Sequence, residues 1–129
     1  MRNPRKQILI IDDHASIRML LGTMLSKEYA VTSHPDGLLA MQWLNQGNRP
    51  DLILLDLQMP RLDGKAFLRL LRASGYFRDI PTIVISGDEN ELSAADRLAL
   101  RIDTVLPKPF NPISLRQEID HLLLPASTI

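Results

Sequence analysis

The sequence predicts an α/β fold: a five-stranded parallel sheet, doubly wound, with helices covering both of its faces. Short, continuous apolar runs recur five times, and a stretch with helical apolar spacing follows each of them. Continuous runs are typical of strands buried on both faces, and consecutive parallel strands need a crossover connection, usually a helix. No linker, low-complexity run or internal repeat interrupts this alternation. We therefore expect one domain over residues 1–129, with its core at about 6–124.

The five predicted strands are short runs rich in isoleucine, leucine, valine and threonine. They cover residues 8–11, 30–32, 52–55, 82–85 and 104–106. The first and third runs stop directly at acids, and the fifth is cut off by Pro107. Behind the second run lies the turn tripeptide Pro35-Asp36-Gly37. These stops set the strand ends, and so they also set which side chains reach the edge of the sheet.

The five predicted helices are indicated by apolar residues three or four positions apart. The first extends over about 14–27 and the fourth over about 93–100, and the fifth ends at Pro125. In chain order the apolar positions are Ile17, Leu20, Leu21, Met24 and Leu25; Ala40, Met41 and Leu44; Phe67, Leu70 and Leu71; Leu92, Ala95, Leu98 and Ala99; Leu115, Ile119 and Leu122. We interpret the arginines around the third helix as a solvated face; they are Arg61, Arg69, Arg72 and Arg78.

Composition excludes several classes of function. The 129 residues carry 45% hydrophobic residues and a formal net charge of +0. A chain this neutral lacks the basic field that non-specific nucleic-acid binding requires, so we expect no direct nucleic-acid partner. Cysteine is absent, which excludes disulfides, thiolate metal sites and cysteine nucleophiles.

The apolar runs are too short for a membrane or export signal. The run at 8–11 has four residues, whereas a spanning helix needs about 20 and a secretory signal core needs roughly 7–15. We expect no membrane association and a cytoplasmic location.

Chemically active side chains collect at the predicted strand ends. In open parallel α/β sheets, ligands bind beyond the carboxyl ends of the strands. Those ends carry Asp12 and Asp13 after the first strand, Asp56 after the third, Ser86 and Gly87 after the fourth, and Lys108 after the fifth. We therefore expect three carboxylates, a hydroxyl and an ammonium group to face one crevice.

Three ionised aspartates in one crevice repel one another, and a divalent cation relieves that repulsion. The ligands on offer are oxygen atoms, with no cysteine and no histidine triad. This set favours Mg²⁺ or Mn²⁺ over zinc. A carboxylate, a hard cation, a lysine and a hydroxyl are the parts needed to accept a phosphoryl group on an aspartate.

A set of motifs in chain order resembles the signature of the receiver domain of two-component response regulators. The motifs are Asp12-Asp13, Asp56 followed by Met59-Pro60 and Gly64, Ser86-Gly87, and Lys108-Pro109. The resemblance runs from about Lys6 to Leu124 and implies the flavodoxin-like (βα)5 receiver fold. It also implies a phosphorylation-dependent signalling switch that is not an enzyme acting on a separate substrate. The implied partners are a sensor histidine kinase or phosphotransfer protein and an output protein or domain that the sequence does not identify.

The resemblance also assigns roles to individual residues. It implies that Asp56 accepts the phosphoryl group, that Lys108 pairs with the phosphoryl oxygens and that Ser86 moves to hydrogen-bond them. Mg²⁺ is the implied cofactor, and its implied ligands are Asp12 (directly or through water), Asp13, Asp56 and the backbone carbonyl of Gln58. The peptide bond before Pro109 is typically cis in this family, an option open to X-Pro bonds. The implied output surface consists of the fourth helix, the fifth strand and the fifth helix.

The sequence departs from the family pattern at three places. Val105 occupies a position that is usually aromatic and acts as a rotamer switch, Arg101-Ile102 replaces a common Gly-Ala pair, and His14 stands where a third acid is common. We expect none of these to touch the phosphorylation chemistry. Because Val105 offers no ring, we expect the signal to travel through the loop after Ser86 and the fourth helix.

Two other functions are compatible with parts of this pattern. One is a Mg²⁺-dependent aspartyl-phosphate phosphatase or phosphotransferase with Asp56 as nucleophile. Such enzymes, as in the haloacid dehalogenase group, place a second acid two residues after the nucleophile, where this chain has Gln58. The other is a degenerate receiver acting as a scaffold, which the complete set of chemical residues disfavours. The sequence does not distinguish a stand-alone receiver from part of a longer regulator.

Overall fold

The computed structural model describes residues 5–88 and 90–124. Its elements, in chain order, are β1 (Gln7–Ile11), α1 (Ala15–Leu25), β2 (Ala30–His34), α2 (Gly37–Asn45), β3 (Leu52–Asp56), α3 (Gly64–Ala73), β4 (Thr82–Ser86), α4 (Ala94–Ala99), β5 (Thr104–Pro107) and α5 (Pro112–Leu123). The outermost residues of the predicted domain, 1–4 and 125–129, lie outside the described residues. Among the described residues, none of the helices combines the length and the apolar character of a membrane-spanning segment.

The five strands form one parallel sheet in the order β2-β1-β3-β4-β5. The prediction of a doubly wound α/β fold is confirmed. The direction of chain progression reverses between β1 and β3, and ligands of such sheets bind beyond the strand ends at this reversal. Ile11 pairs with Leu55, and Asp56 pairs with Ile85. The carboxyl ends of β1, β3 and β4 are therefore level with one another.

Alternate strand residues face two separate hydrophobic clusters, one on each side of the sheet. On one side, Leu9 and Leu55 pack with Phe67 of α3 and with residues of α2. On the other, Ile10 and Leu54 pack with residues of α1 and α5. Both β3 and β4 are buried along their full length, because helices cover both faces at the centre of the sheet. This is why their sequences are continuously apolar up to Asp56 and Ser86.

Side-chain caps fix where several helices begin behind the strand ends. Asp36 accepts from the backbone N–H of Leu39 at the start of α2, and Asp63 accepts from that of Ala66 at the start of α3. Ser93 forms a capping box with Asp96 at the start of α4. These caps satisfy amide groups that a helix leaves free in its first turn. They thereby keep the loops at this edge of the sheet short and defined.

Three leucines that the helical spacing placed on the inner faces are exposed. Leu20 is 49% exposed, Leu70 is 51% exposed and Leu98 is 82% exposed. In α3 the inward position next to Phe67 belongs instead to Leu68, which is fully buried. Helical periodicity shows which residues share a side, but the width of the buried stripe depends on how closely the helix lies on the sheet.

The interpretation of Arg72 as part of a solvated face is wrong. Its guanidinium is half-buried and donates hydrogen bonds to the carbonyl oxygens of Leu100 at 2.7 Å and Ile80 at 2.8 Å. It also reaches the Arg78 and Arg101 carbonyls and the Thr82 hydroxyl. Arg72 lies in the last turn of α3, where the connections before β4 and β5 bring free carbonyls together. It therefore ties α3 to the segment behind α4.

Candidate functional site

The carboxyl ends of β1 and β3 bring the predicted aspartates together. Asp12 and Asp56 are 3% and 2% exposed, whereas Asp13 is solvent-exposed. One ligand atom from each of Asp12, Asp13, His14 and Asp56 lies within 4.8 Å of the others. Such crowding of carboxylates costs free energy through mutual repulsion unless cations compensate it. The sequence-based expectation that three acids meet in one crevice therefore describes this geometry correctly.

A lysine that follows the edge strand β5 supplies one compensating positive charge. The Lys108 Nζ lies 2.7 Å from Asp56 Oδ2, and the backbone N–H of Gln58 donates to Asp56 Oδ1 at 3.1 Å. Lys108 directly follows β5, and its own N–H donates to the Ser86 carbonyl, which fixes the start of its side chain beside β4. The Lys108-Pro109 bond is cis, as the family resemblance implied. Both Asp56 oxygens thus have a donor, as a buried carboxylate requires.

Ser86 ends β4 at the edge of the crevice, but its hydroxyl faces the loop that follows. The hydroxyl oxygen lies 2.7 Å from Glu91 Oε2 and 3.0 Å from the Asp88 carbonyl, and it accepts from the Asp88 N–H at 3.3 Å. Among the described residues, it makes no hydrogen bond to Asp56 or Lys108. Ser86 is therefore close to the predicted chemistry and turned away from it.

The loop after β3 forms one wall of an open cavity beside the aspartates. This cavity has a volume of about 570 Å³ and is lined in part by Asp13, Gln58, Lys65 and Glu91. Gln58, whose carbonyl the resemblance implied as a metal ligand, lies on this wall with an exposed side chain. The crevice is open to solvent on this side, so a ligand there can keep part of its hydration.

An ion pair that the sequence reading missed stabilises the same loop. Arg61, at φ 67°, donates from Nε to Asp36 Oδ2 at 3.0 Å. Burial alone would raise the pKa of Asp36, but the N–H of Leu39 and the Arg61 guanidinium hold it below its ordinary value. A Cβ on Gly37 would lie 2.6 Å from the Leu62 carbonyl oxygen. The sequence pattern indicates only a turn at Asp36-Gly37, yet these two residues also position the loop that carries Gln58.

His14 lies among the acids of this crevice, a contact that the sequence pattern did not predict. Its Nδ1 is 3.1 Å from Asp12 Oδ1 and 3.0 Å from Asp13 Oδ1, although its side chain is 60% exposed. His14 is the N-cap residue of α1, and its backbone N–H donates to Asp12 Oδ1 at 2.8 Å. This tight strand-to-helix turn folds the ring back over the acid pair. The only signal in the sequence was its position directly after the acids.

The donor set at this crevice fits a hard divalent cation. It consists of three carboxylates, two of them buried, with the open cavity beside Asp13 giving access to water. Mg²⁺ prefers one or two carboxylates and keeps several of its waters, which an open acidic crevice allows. His14 adds a nitrogen atom to this set that the usual acid at its position would not provide.

Comparison with known proteins settles the family. The chain matches the family model of the response regulator receiver domain over residues 8–120. It belongs to this family. The resemblance drawn from the motifs at the strand ends is therefore confirmed. Receiver domains are components of two-component systems and act in general as signalling switches rather than as classical enzymes.

Several relatives and solved structures resemble this receiver domain. A cyclic di-GMP phosphodiesterase response regulator, RpfG of Xanthomonas campestris, is 40% identical over 121 residues, which are 90% of this chain and 31% of that protein. The chemotaxis protein CheY4 of Vibrio cholerae superposes with a TM-score of 0.83 at 27% identity, covering 92% of this chain and 99% of that one. The chain spans less than half the length of the curated relatives that it matches.

One solved relative is described with a metal ion. The receiver domain of the sensor histidine kinase PA1611 of Pseudomonas aeruginosa is 27% identical, with a TM-score of 0.80 and coverage of 92% of this chain and 97% of that one. Its structure is described with a magnesium ion coordinated in the active site cleft. The acidic crevice found here lies in a receiver domain of the same fold.

Proposed function

We propose that this receiver domain is a phosphorylation-dependent switch in which Asp56 accepts a phosphoryl group from a histidine kinase or a phosphotransfer protein. One observation carries the proposal: the buried Asp56 carboxylate lies both 2.7 Å from the Lys108 ammonium and within the acid cluster of Asp12 and Asp13. A nucleophilic carboxylate with cations on its flank suits phosphoryl transfer, where catalysis is mainly positioning and charge stabilisation.

Mg²⁺ is the cofactor that we propose for this site. Asp12, Asp13, Asp56 and the backbone carbonyl of Gln58 would hold it, with Asp12 acting directly or through water. When bound, Mg²⁺ would neutralise charge on the carboxylates and on the phosphoryl oxygens. The acid cluster supports this proposal, and so does the magnesium ion described for the PA1611 receiver domain.

The residues of the chain would act in the following way. A carboxylate oxygen of Asp56 attacks the phosphorus of a phosphohistidine, the new O–P bond forms, and the P–N bond breaks with its electron pair leaving on the imidazole. The Lys108 ammonium, already at Asp56, stabilises the negative charge on the transferred oxygens. The Ser86 hydroxyl turns from the β4–α4 loop to donate to one of them. Water entering through the open crevice later hydrolyses the acyl phosphate and resets the switch.

We place the output on the surface formed by α4, β5 and α5. None of the α4 residues is buried, and the Leu98 side chain on this helix is 82% exposed. A weakly packed helix next to the Ser86 loop can shift at a low cost in free energy and present its apolar side chains to a partner. The partner itself would be an output protein or an output domain.

The decisive experiment is intact mass spectrometry after incubation with acetyl phosphate and Mg²⁺. We expect one phosphoryl adduct on the wild-type protein and none on Asp56→Asn. The matched control is Asp63→Asn, which changes an acid of the same loop but retains a side chain that can cap α3. An unmodified wild-type protein would favour the scaffold interpretation. An adduct that persists at full yield in Asp56→Asn would refute the assignment of the phosphoacceptor.

A further inference from the structure

A carboxylate in the β4–α4 loop holds the Ser86 hydroxyl in this structure. Glu91 Oε2 lies 2.7 Å from Ser86 Oγ, closer than the Asp88 carbonyl at 3.0 Å. We propose that Glu91 is a positioning residue that keeps the Ser86 hydroxyl turned away from unphosphorylated Asp56 and passes its movement to α4. This inference rests on the proposed function and adds to it a means of reading the phosphorylated state.

Because the Ser86 hydroxyl has a single proton, its possible acceptors compete for that proton. Ser86 can donate one strong hydrogen bond, and a charged carboxylate is a better acceptor than the neutral Asp88 carbonyl. A phosphoryl group on Asp56 would offer a second charged acceptor on the opposite side of the Ser86 side chain. The hydroxyl cannot serve both acceptors, so its donation to a phosphoryl oxygen breaks the bond to Glu91.

The charges around Glu91 favour its displacement once that bond is broken. Glu91 is half-buried and lines the same cavity as Asp13, Gln58 and Lys65. A phosphoryl group adds negative charge to a crevice that already holds the aspartates, so Glu91 without its hydroxyl donor is repelled from it. Lys65 is the cation on this side, and its Nζ also lies 3.4 Å from Asp96 Oδ2 in the first turn of α4. Movement of Glu91 toward Lys65 would therefore disturb the start of α4.

The other route to α4 is weak in this chain. A second cavity, of about 420 Å³, lies between the Ser86 loop and α4 and is lined in part by Ser86, Leu92, Arg97 and Val105. A rotating aromatic ring could fill such a space, but Val105 is short and stiff at χ1. The rotation of Val105 changes few contacts, and an equilibrium shifts only by differential contact energy. The bond between Ser86 and Glu91 is a direct contact that the phosphorylated state must lose.

Beryllofluoride, a phosphoryl analogue, provides the test when its binding is titrated with Mg²⁺ present and followed by NMR. If Glu91 opposes the active position of Ser86, Glu91→Ala binds beryllofluoride about fivefold more tightly than the wild type. Glu91→Gln keeps the shape of the side chain and loses the charge, so we expect an intermediate gain. Asp88→Asn is the matched control, because it removes a charge from the same loop without touching the Ser86 hydroxyl through its side chain.

The amide signals of 94–100 give a second readout that a purely structural residue would not move. In metal-free Glu91→Ala they should shift part of the way toward their positions in the beryllofluoride complex of the wild type. In a Ser86→Ala background, Glu91→Ala should raise the affinity much less, because the contact is already lost and only the repulsion by the Glu91 charge is removed. Val105→Ala should leave the wild-type response of these amides in place.

Two failures are distinguishable. Wild-type protein that binds no beryllofluoride with Mg²⁺ would overturn the proposed function, and this inference with it. If the wild type binds but folded Glu91→Ala and Glu91→Gln have its affinity and its α4 signals, only the role of Glu91 is overturned. If Asp88→Asn reproduces in full the gain in beryllofluoride affinity of Glu91→Ala, the gain comes from the overall charge of the loop. That result would also overturn the role of Glu91.

Discussion

Helices α3 and α4 follow neighbouring strands of one sheet, yet they are held in very different ways. Helix α3 buries Phe67, Leu68 and Leu71 in the core, whereas no residue within α4 is buried. The loop before α3 carries Gln58, two residues after Asp56, and the loop before α4 carries Glu91 behind Ser86. The difference shows which part of the site is held firmly and which part can move. The carboxylates lie against firmly packed elements, and the movable hydroxyl adjoins a helix that can shift.

Two polar contacts join these unequal regions. Arg72 of α3 donates to the carbonyls of Leu100 and Arg101 behind α4, and Lys65 of α3 pairs with Asp96 at its start. Helix α4 is thus tethered at its ends by polar contacts with α3 rather than by buried apolar side chains of its own. Local opening of such a segment costs less free energy than opening of the core.

The strongest test of the firm packing of α3 is a substitution at Phe67, where we expect the largest loss of stability. This side chain is fully buried between α3 and the sheet. Phe67→Ala removes its apolar contacts and leaves a cavity, and we expect a loss of about 3–5 kcal/mol in the free energy of unfolding. Urea unfolding measures it. A loss below about 1 kcal/mol, the size of an average substitution, would show that α3 is not the firm partner.

Metal binding tests the difference between the aspartates and Ser86 at the site. We expect Asp13→Ala to weaken Mg²⁺ binding by about 100-fold or more, because it removes a direct carboxylate ligand. Ser86→Ala should change the Mg²⁺ affinity by less than about twofold, because the Ser86 hydroxyl points to Glu91 rather than to the aspartates of the crevice. Isothermal titration calorimetry measures both constants. Equal losses in the two variants would contradict the proposed ligand set.

Arg72 tests the tether between the two regions. Arg72→Ala leaves several half-buried carbonyls without their donor, and we expect a loss of about 2–3 kcal/mol in the free energy of unfolding. Hydrogen exchange should rise most in the segment between α4 and β5. Arg69→Ala is the matched control, since Arg69 is an exposed arginine on the same helix. A uniform rise across the sheet would argue against a local tether.

Leu98 is the position where we expect the smallest effect. Its side chain is 82% exposed, so Leu98→Ala should change the free energy of unfolding by less than about 0.5 kcal/mol. Thermal or urea unfolding against the wild type is sufficient to check this. A destabilisation above about 1 kcal/mol would mean that α4 packs more firmly than its exposure indicates.

The sequence by itself determined the order and type of the elements and the residues at the strand ends. Continuous apolar runs that stop at Asp12, Asp56 or Ser86 show where buried strands end, because a charged or polar group cannot continue into the core without a partner. Parallel strands align those ends at one edge of the sheet. The convergence of the three aspartates with Lys108 could therefore be predicted from residue positions alone.

Only the tertiary structure decided which side chains meet around that edge. The bond from Ser86 to Glu91, the contact of His14 with the acid pair and the hydrogen bonds of Arg72 all depend on the path of a loop or the direction of a helix end. The exposure of Leu98 has the same origin. Periodicity fixes which residues share one side of a helix, but the distance of that helix from the sheet results from the packing of the whole domain.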